Sequence, residues 1–384
     1  MIVSPYFKDS LINQWFLCAR ACFDIPAEIE QQLRNSWLIE KPALFTEWEQ
    51  QFICDLFGAR YGYSLTPPQF EPYTEICIET LLQEMGVLHH CQQRIGQPTL
   101  CITHDIDHLD ASPKLALKRL LGERKMTSFK KNERSFIPSL SKLLELSSPL
   151  SYSTKSVATV FVASPLASKN PLFWPMQWLM DPSYTVHHHS FPELRSLLEE
   201  FQCDVGLHGS FYSMSQNFLE REKQSLEAAM GKKIDLLRQH WLHLPGKKAW
   251  NIIKESKFQI DSTLGWNGSV GFRGGMARPF EVLTDNHSLN TIWEVPLLLM
   301  DGPLFCDMNI SQQEIAKFSK SLLTKVIQRN GCVSINWHDR AAHSSYKWDG
   351  LLEELLTFAV NHNFQFLTLK EAVEESLVRN VSKT

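Results

Sequence analysis

From about residue 98 the chain alternates short apolar runs with helical stretches, and this rhythm limits its fold more than any other feature. "TLCIT" (99–103) is followed by "VATVFVA" (157–163) and "CDVGLH" (203–208). "TIWEVPLLL" (291–299), "CVSINWH" (332–338) and "FQFLTL" (364–369) come later. Stretches with helical spacing lie between them, such as "PELRSLLEEF", "NFLEREKQSLEAAMG" and "DGLLEELLTFAVNH". Strand-helix alternation on this scale implies parallel strands joined by crossover helices. The roughly 285 residues from this point suit one (β/α) barrel, a fold of about 250 residues.

Residues 1–95 read as a separate, mainly helical unit with no chemical motif, and 96–384 as the barrel. "EPYTEICIETLLQEMGVL" has apolar positions at helical spacing, after a loop marked by the paired prolines of "SLTPPQF". Residues 111–155 break the barrel rhythm, first with Lys and Arg and then with Ser, and are expected to be an insertion after the first strand. A net charge of −4 gives no polybasic signature, so nucleic acid is not an expected partner. Nine scattered cysteines without a Cys-x-x-Cys pair suggest reduced thiols rather than a disulfide framework. The first twenty residues lack a basic start followed by an apolar run, and no stretch approaches the roughly 18 apolar residues of a membrane span. A cytoplasmic protein is the resulting expectation; oligomeric state is not readable.

Catalytic groups of (β/α) barrels sit at the C-terminal ends of strands. Here those ends collect polar residues: His104, Asp105, Asp107 and His108 in "CITHDIDHLD", and His208 in "DVGLHGSFYS". "LLRQHWL" carries Arg238, His240 and Trp241, "IDSTLGW" carries Asp261 and Trp266, and "VSINWHD" ends in His338 and Asp339. One such residue is ordinarily a loop-fixing group, but five ends of this kind point to a common site. Asp and His suit Zn²⁺ or another divalent transition ion. Such an ion, with a free carboxylate as base and a separate His as acid, makes the parts of metal-assisted amide or ester hydrolysis.

From about 98 to 370 the chain resembles the polysaccharide deacetylase (NodB-homology, carbohydrate esterase) family, in the branch whose first motif reads His-Asp-x-Asp. "THDID" is similar to the first motif, and "VATVFV" to the strand that follows it. "GLHGSFYS", "RQHW", "DSTLGW" and "INWH" resemble motifs two to five in order. The resemblance implies a distorted seven-stranded barrel that removes acetyl groups, N- or O-linked, from a carbohydrate or glycoconjugate around a divalent ion, with Zn²⁺ first choice. It implies Asp105 as base, Asp107 and His208 as metal ligands, and Arg238 as the partner orienting the base. Asp261 would tune the acid, His338 would protonate the leaving group, and Trp241 and Trp266 would wall a sugar groove. Hydrolysis of another non-peptide C–N bond, or sugar binding by a decayed site, are the rival readings.

Two departures bear on these roles. Ile106 separates the aspartates, but residues two apart in a strand share a face, so both can reach one site. Which Asp is base and which is ligand is then less fixed. Tyr212 stands four after His208 where a second His is usual, so the third ligand is expected to be His240, or failing that His104. Tyr212 is kept as a substrate contact, and Arg273 in "GFRGG" as a loop cation able to reach an anionic group. Glu294 and Asp301 are plausible site residues too, although residues so placed more often fix loops. The run His187–His189 is not expected to hold an ion, because adjacent residues rarely place three imidazoles on one centre.

Overall fold

The computed structural model describes residues 5–39, 42–57, 70–94, 96–112, 115, 135–150, 158–166, 172, 174–214, 218–246, 248–284 and 291–381. Most of the basic part of the expected insertion (116–134), its Ser-rich end (151–157) and His287 lie outside the described residues.

A two-residue pair, β1 (Phe23–Asp24) with β2 (Gln92–Gln93), precedes the main sheet. That sheet has ten strands and is strongly curled. Its strands are β3 (Thr99–Ile106), β4 (Ala158–Ala163), β5 (Asp204–Gly209), β6 (Leu236–Gln239), β7 (Ile260–Asp261), β8 (Phe280–Leu283), β9 (Thr291–Glu294), β10 (Leu297–Met300), β11 (Cys332–Asn336) and β12 (Gln365–Phe366). The order is β10-β11-β3-β4-β5-β6-β7-β9-β8, with β12 paired to the start of β3. All neighbours are parallel except β8 with β9.

Strands β9 and β10 are one run interrupted only by Val295 and Pro296. Its first half pairs with β7 and its second half with β11, so it joins the two ends of the sheet. Val295 N donates to Asp261 O on one side, and Ser334 N donates to Pro296 O on the other. With that run counted once, β3, β4, β5, β6, β7, β9–β10 and β11 make seven parallel positions around an interior. The α/β barrel expected from the alternation is the fold found.

The interior is layered. Cys101, Phe161, Leu236, Ile260 and Val295 make an apolar floor, closed from outside by Leu369, Ala372 and Val373 of the helix Leu369–Val381. Gly206 is required beside this floor, because a Cβ there would stand 2.6 Å from the Phe161 ring. Strand alternation then carries the chemistry. In β3, Leu100, Ile102 and Ile106 enter the outer apolar clusters, while Cys101, Thr103 and Asp105 face inward, with Asp107 just beyond.

The N-terminal helices α1 (Pro5–Cys22), α2 (Ala27–Ile39), α3 (Ala43–Phe57) and α4 (Tyr73–Glu84) share one continuous apolar cluster with the barrel. Trp15, Trp37, Phe45, Trp48 and Phe52 pack ring on ring, and Phe52 reaches Phe280 of β8. Edge strand β8 needs such a cover, since an open edge invites pairing with other chains. Gln14 supplies part of it: its amide donates to Glu281 O and accepts from Leu283 N, both at 2.8 Å.

Polar contacts fix the rest of this junction. Glu75 receives Arg278 Nε and Ala277 N at 2.9 Å each, and both its residue and Arg278 are buried. Removing one partner of a buried pair strands the other charge. Glu75→Ala should therefore cost about 3–5 kcal/mol of stability, read as a lowered urea midpoint, whereas Glu79→Ala at a partly exposed pair should cost under ~1 kcal/mol.

Candidate active site

Arg238 stands inside the barrel with no exposed surface. Desolvating a guanidinium is costly unless its donors are met, and here five neighbouring residues meet them. Nη1 donates to Thr103 Oγ1 (2.6 Å), Asp105 Oδ1 (3.0 Å) and Asn336 Oδ1 (3.1 Å). Nε donates to Ser262 O, and Nη2 to Ser262 Oγ and Ser334 Oγ. The guanidinium carbon lies 4.4 Å from the centre of the Phe161 ring, directly above the apolar floor.

Asp105 is thereby fixed through both oxygens, because Asn336 Nδ2 donates to Oδ2 at 3.0 Å. Burial alone would raise its carboxyl, but the Arg238 charge, helped by His208 and His338, outweighs burial and holds it below the usual range.

Asp107, His208 and His240 converge one layer higher, all buried, with their ligand atoms within 4.8 Å of one another. Asp107 Oδ1 is 3.3 Å from His208 Nε2 and 3.2 Å from His240 Nδ1, and the two ring nitrogens are 2.9 Å apart. His208 Nδ1 faces Arg238 O at 3.1 Å. A carbonyl only accepts, so Nδ1 carries the proton and Nε2 turns a lone pair toward the cluster. A carboxylate oxygen and that lone pair then meet with at most one bridging proton, on His240. Three such buried ligand atoms, this close together, fit a divalent cation. The backbone just after His240 is strained: Trp241 (φ 59°) and Leu242 (φ 46°) both take left-handed conformations that bulky residues avoid. Trp241 Nε1 ties that turn to Met180 O at 2.9 Å.

His338 lies across from Asp105. Its Nδ1 is 2.5 Å from Asp301 Oδ1, its backbone N donates to Asp301 Oδ2, and its Nε2 is 3.6 Å from Asp107 Oδ2. Burial would lower the imidazole, but Asp301 foremost, with Asp107, outweighs burial and the opposing Arg340, lifting it to about 9. Arg340 Nη1 donates to the same Asp107 oxygen at 2.9 Å.

These residues line a cleft of about 330 Å³ at the C-terminal ends of the strands. Asp105, Asp107, His208, His240, Trp241, His338 and Arg340 all face it.

No protein-family model and no curated protein matches the sequence. Solved polysaccharide deacetylases resemble it in fold. A Mycobacterium smegmatis protein assigned to the polysaccharide deacetylases shares 14% identity over 75% of this chain and 93% of its own, with a TM-score of 0.49. A Pseudomonas aeruginosa PAO1 protein assigned likewise shares 13% over 74% and 92%, with a TM-score of 0.45. Puue allantoinase shares 10% over 74% and 92%, also with a TM-score of 0.45. At such identities the chemistry has to be read from the site's own atoms.

Four expected site residues stand away from the cleft or from the partner expected of them. Asp261 does not touch His338; it is buried at the end of β7, where Thr263 N and Oγ1 donate to it, and Asp301 occupies the tuning position instead. Arg273 faces away from the cleft, giving Nε to Asp55 O and Nη1 to Gly265 O without any exposed surface. Trp266 is buried beside it, 5.9 Å from its guanidinium, and does not line the cleft. Tyr212 also lies outside the cleft lining.

His104 is on the outer face of β3 with Nδ1 at Trp337 O, and burial lowers it to about 4. His188 and His189 both approach Asp110 Oδ2, at 3.5 and 3.4 Å. Ser190 N donates to His188 Nδ1, so His188 Nε2 turns a proton rather than a lone pair toward Asp110. Sequence reasoning missed Asn336 and Arg340. Both flank motif residues already singled out, at two positions from His338.

Arg238 is the member whose loss should reach furthest. Arg238→Met leaves Asp105 buried without its cation among acceptors that have lost their donor, and should lower stability by about 3–5 kcal/mol in chemical denaturation. Arg238→Met/Asp105→Leu should recover part of that loss.

Proposed function

We propose that the chain is a metal-dependent hydrolase of the polysaccharide deacetylase family, removing acetyl groups from a carbohydrate or glycoconjugate in the cytoplasm. The observation carrying this reading is the Asp107–His208–His240 cluster set between two differently held groups, Asp105 on Arg238 and His338 on Asp301. Opposite protonation preferences side by side in one cleft are what acid–base hydrolysis needs.

Asp107, His208 and His240 would hold the ion, for which Zn²⁺ is the first choice. When bound, it supplies Lewis acidity toward a carbonyl oxygen and lowers the pKa of water. His240 takes the ligand place that Tyr212 leaves open. Asp105, kept ionised by Arg238, accepts the proton of the attacking water as its oxygen adds to the acyl carbon. His338, kept protonated by Asp301, donates its Nε2 proton to the leaving nitrogen or oxygen as the bond to the acyl carbon breaks. Acetate and the free amine or alcohol result. Trp241 offers the cleft an aromatic wall suited to a sugar face. Arg340 holds Asp107 Oδ2, leaving Oδ1 for the ion.

Two measurements test the reading. Purified protein should hold a stoichiometric divalent ion, with occupancy falling at least about tenfold in Asp107→Ala or His240→Ala and unchanged in Tyr212→Ala. Unchanged occupancy in the first two removes the cluster from metal binding. Acetate release from acetylated sugars should fall by about 10²–10⁴ in His338→Ala, with ion content retained. Equal rates in wild type and His338→Ala would remove that residue from the mechanism.

A further inference from the structure

A second cavity, of about 320 Å³, lies between the N-terminal helices and the barrel. Gln97, just before β3, and Cys332, the first residue of β11, place it at strand starts, and it shares no residue with the cleft at the strand ends. Leu17, Arg20 and Ala21 of α1 and Arg94 just beyond β2 supply one wall, and Arg278, Pro279 and Trp293 supply another. Its volume falls within the roughly 300–1,000 Å³ of small-molecule sites.

Three guanidiniums reach this cavity at graded depth: Arg278 is buried, Arg94 half-buried and Arg20 exposed. Each has a carboxylate partner, respectively Glu75, Asp24 and Glu30, but none of those three carboxylates lines the cavity. Glu281 is the one carboxylate among its lining residues, and it accepts from Thr291 Oγ1. The balance facing the interior is therefore cationic. Arg94 is moreover incompletely met: Nη2 reaches Asp24 Oδ1 at 2.7 Å, whereas its buried Nε has no acceptor among the described residues. A buried donor left unmet is costly, so it marks a place where an acceptor belongs.

We propose that this cavity is a second binding site, for a phosphorylated sugar. A phosphate monoester carries close to two charges at neutral pH and three acceptor oxygens, enough to engage more than one guanidinium at once. The remaining walls suit a hydroxylated ring better than a bare ion. Trp293 is half-buried and offers an indole against which the C–H face of a sugar can lie. Gln97, Asn330 and Glu281 bring amide and carboxylate groups able to meet hydroxyls. Such a ligand would join the N-terminal helices to the barrel, so its binding should also raise the thermal midpoint. The inference stands apart from the hydrolase reading, because it draws on none of the cleft residues.

Titration calorimetry of the full chain with glucose 6-phosphate and ribose 5-phosphate tests it, with glucose and inorganic phosphate as controls. One equivalent of a sugar phosphate should bind, at least about tenfold tighter than either control. Arg94→Lys keeps a charge beside Asp24 but loses Nε, and should weaken binding about tenfold. Ala21→Phe puts a ring into the cavity and should abolish binding. In the wild type, bound sugar phosphate should also slow iodoacetamide labelling of Cys332 and leave Cys306, in the cleft, unaffected. Failure of both sugar phosphates to bind at about 1 mM overturns the proposal, as does equally tight binding of inorganic phosphate or full affinity in both variants. Protection of Cys306 instead of Cys332 would put the ligand in the cleft and overturn it as well. A chain that binds sugar phosphate as described but releases no acetate and holds no ion upholds this site and ends the hydrolase reading alone.

Discussion

A guanidinium sealed inside a barrel is the constraint around which this molecule is arranged. Arg238 projects from β6 and reaches β3, the end of β7 and β11, so one side chain gathers strands separated by more than a hundred positions in sequence. Its charge has to be met by acceptors, and the acceptors are themselves residues that a hydrophobic barrel would not otherwise contain: Thr103, Ser262, Ser334 and Asn336. A polar belt therefore lies over the Phe161 floor and under the Asp–His cluster. The belt keeps Asp105 anionic in a place where burial works against it.

The two carboxylates of β3 show how environment divides labour between like groups. Asp105 is saturated by Arg238 and Asn336, while Asp107 is shared among two imidazoles, His338 and Arg340. Their spacing alone leaves open which would hold an ion. Their partners separate them: Asp105 is engaged through both oxygens, and Asp107 faces His208 and His240.

Much of this was legible in the sequence, for a definable reason. Strand–helix alternation announces the barrel, and strand ends announce the cleft, because both follow from local periodicity. Asp105, Asp107, His208, Arg238, His240 and His338 all stand at or just past such ends and all meet the cleft or the belt beneath it. The misread residues are those whose direction depends on distant contacts. Arg273 and Trp266 look like cleft residues by position, yet the N-terminal helices draw Arg273 outward to the Asp55 carbonyl, a partner 218 positions away. Asp301 meets His338 only because β10 lies next to β11, a pairing that local pattern does not reveal.

The clasp between the N-terminal helices and β8 also governs when the chain can become whole. Gln14 must await residues 281–283, and Thr74 must await Gly274, partners 267 and 200 positions downstream. At ribosomal rates near 5–20 residues per second, a gap of 200 residues corresponds to about 10–40 s. Throughout that interval the aromatic row from Trp15 to Phe52 has no Phe280 to close on. The N-terminal helices are thus made well before the strand they cover, and their aromatic row is complete only once β8 has emerged.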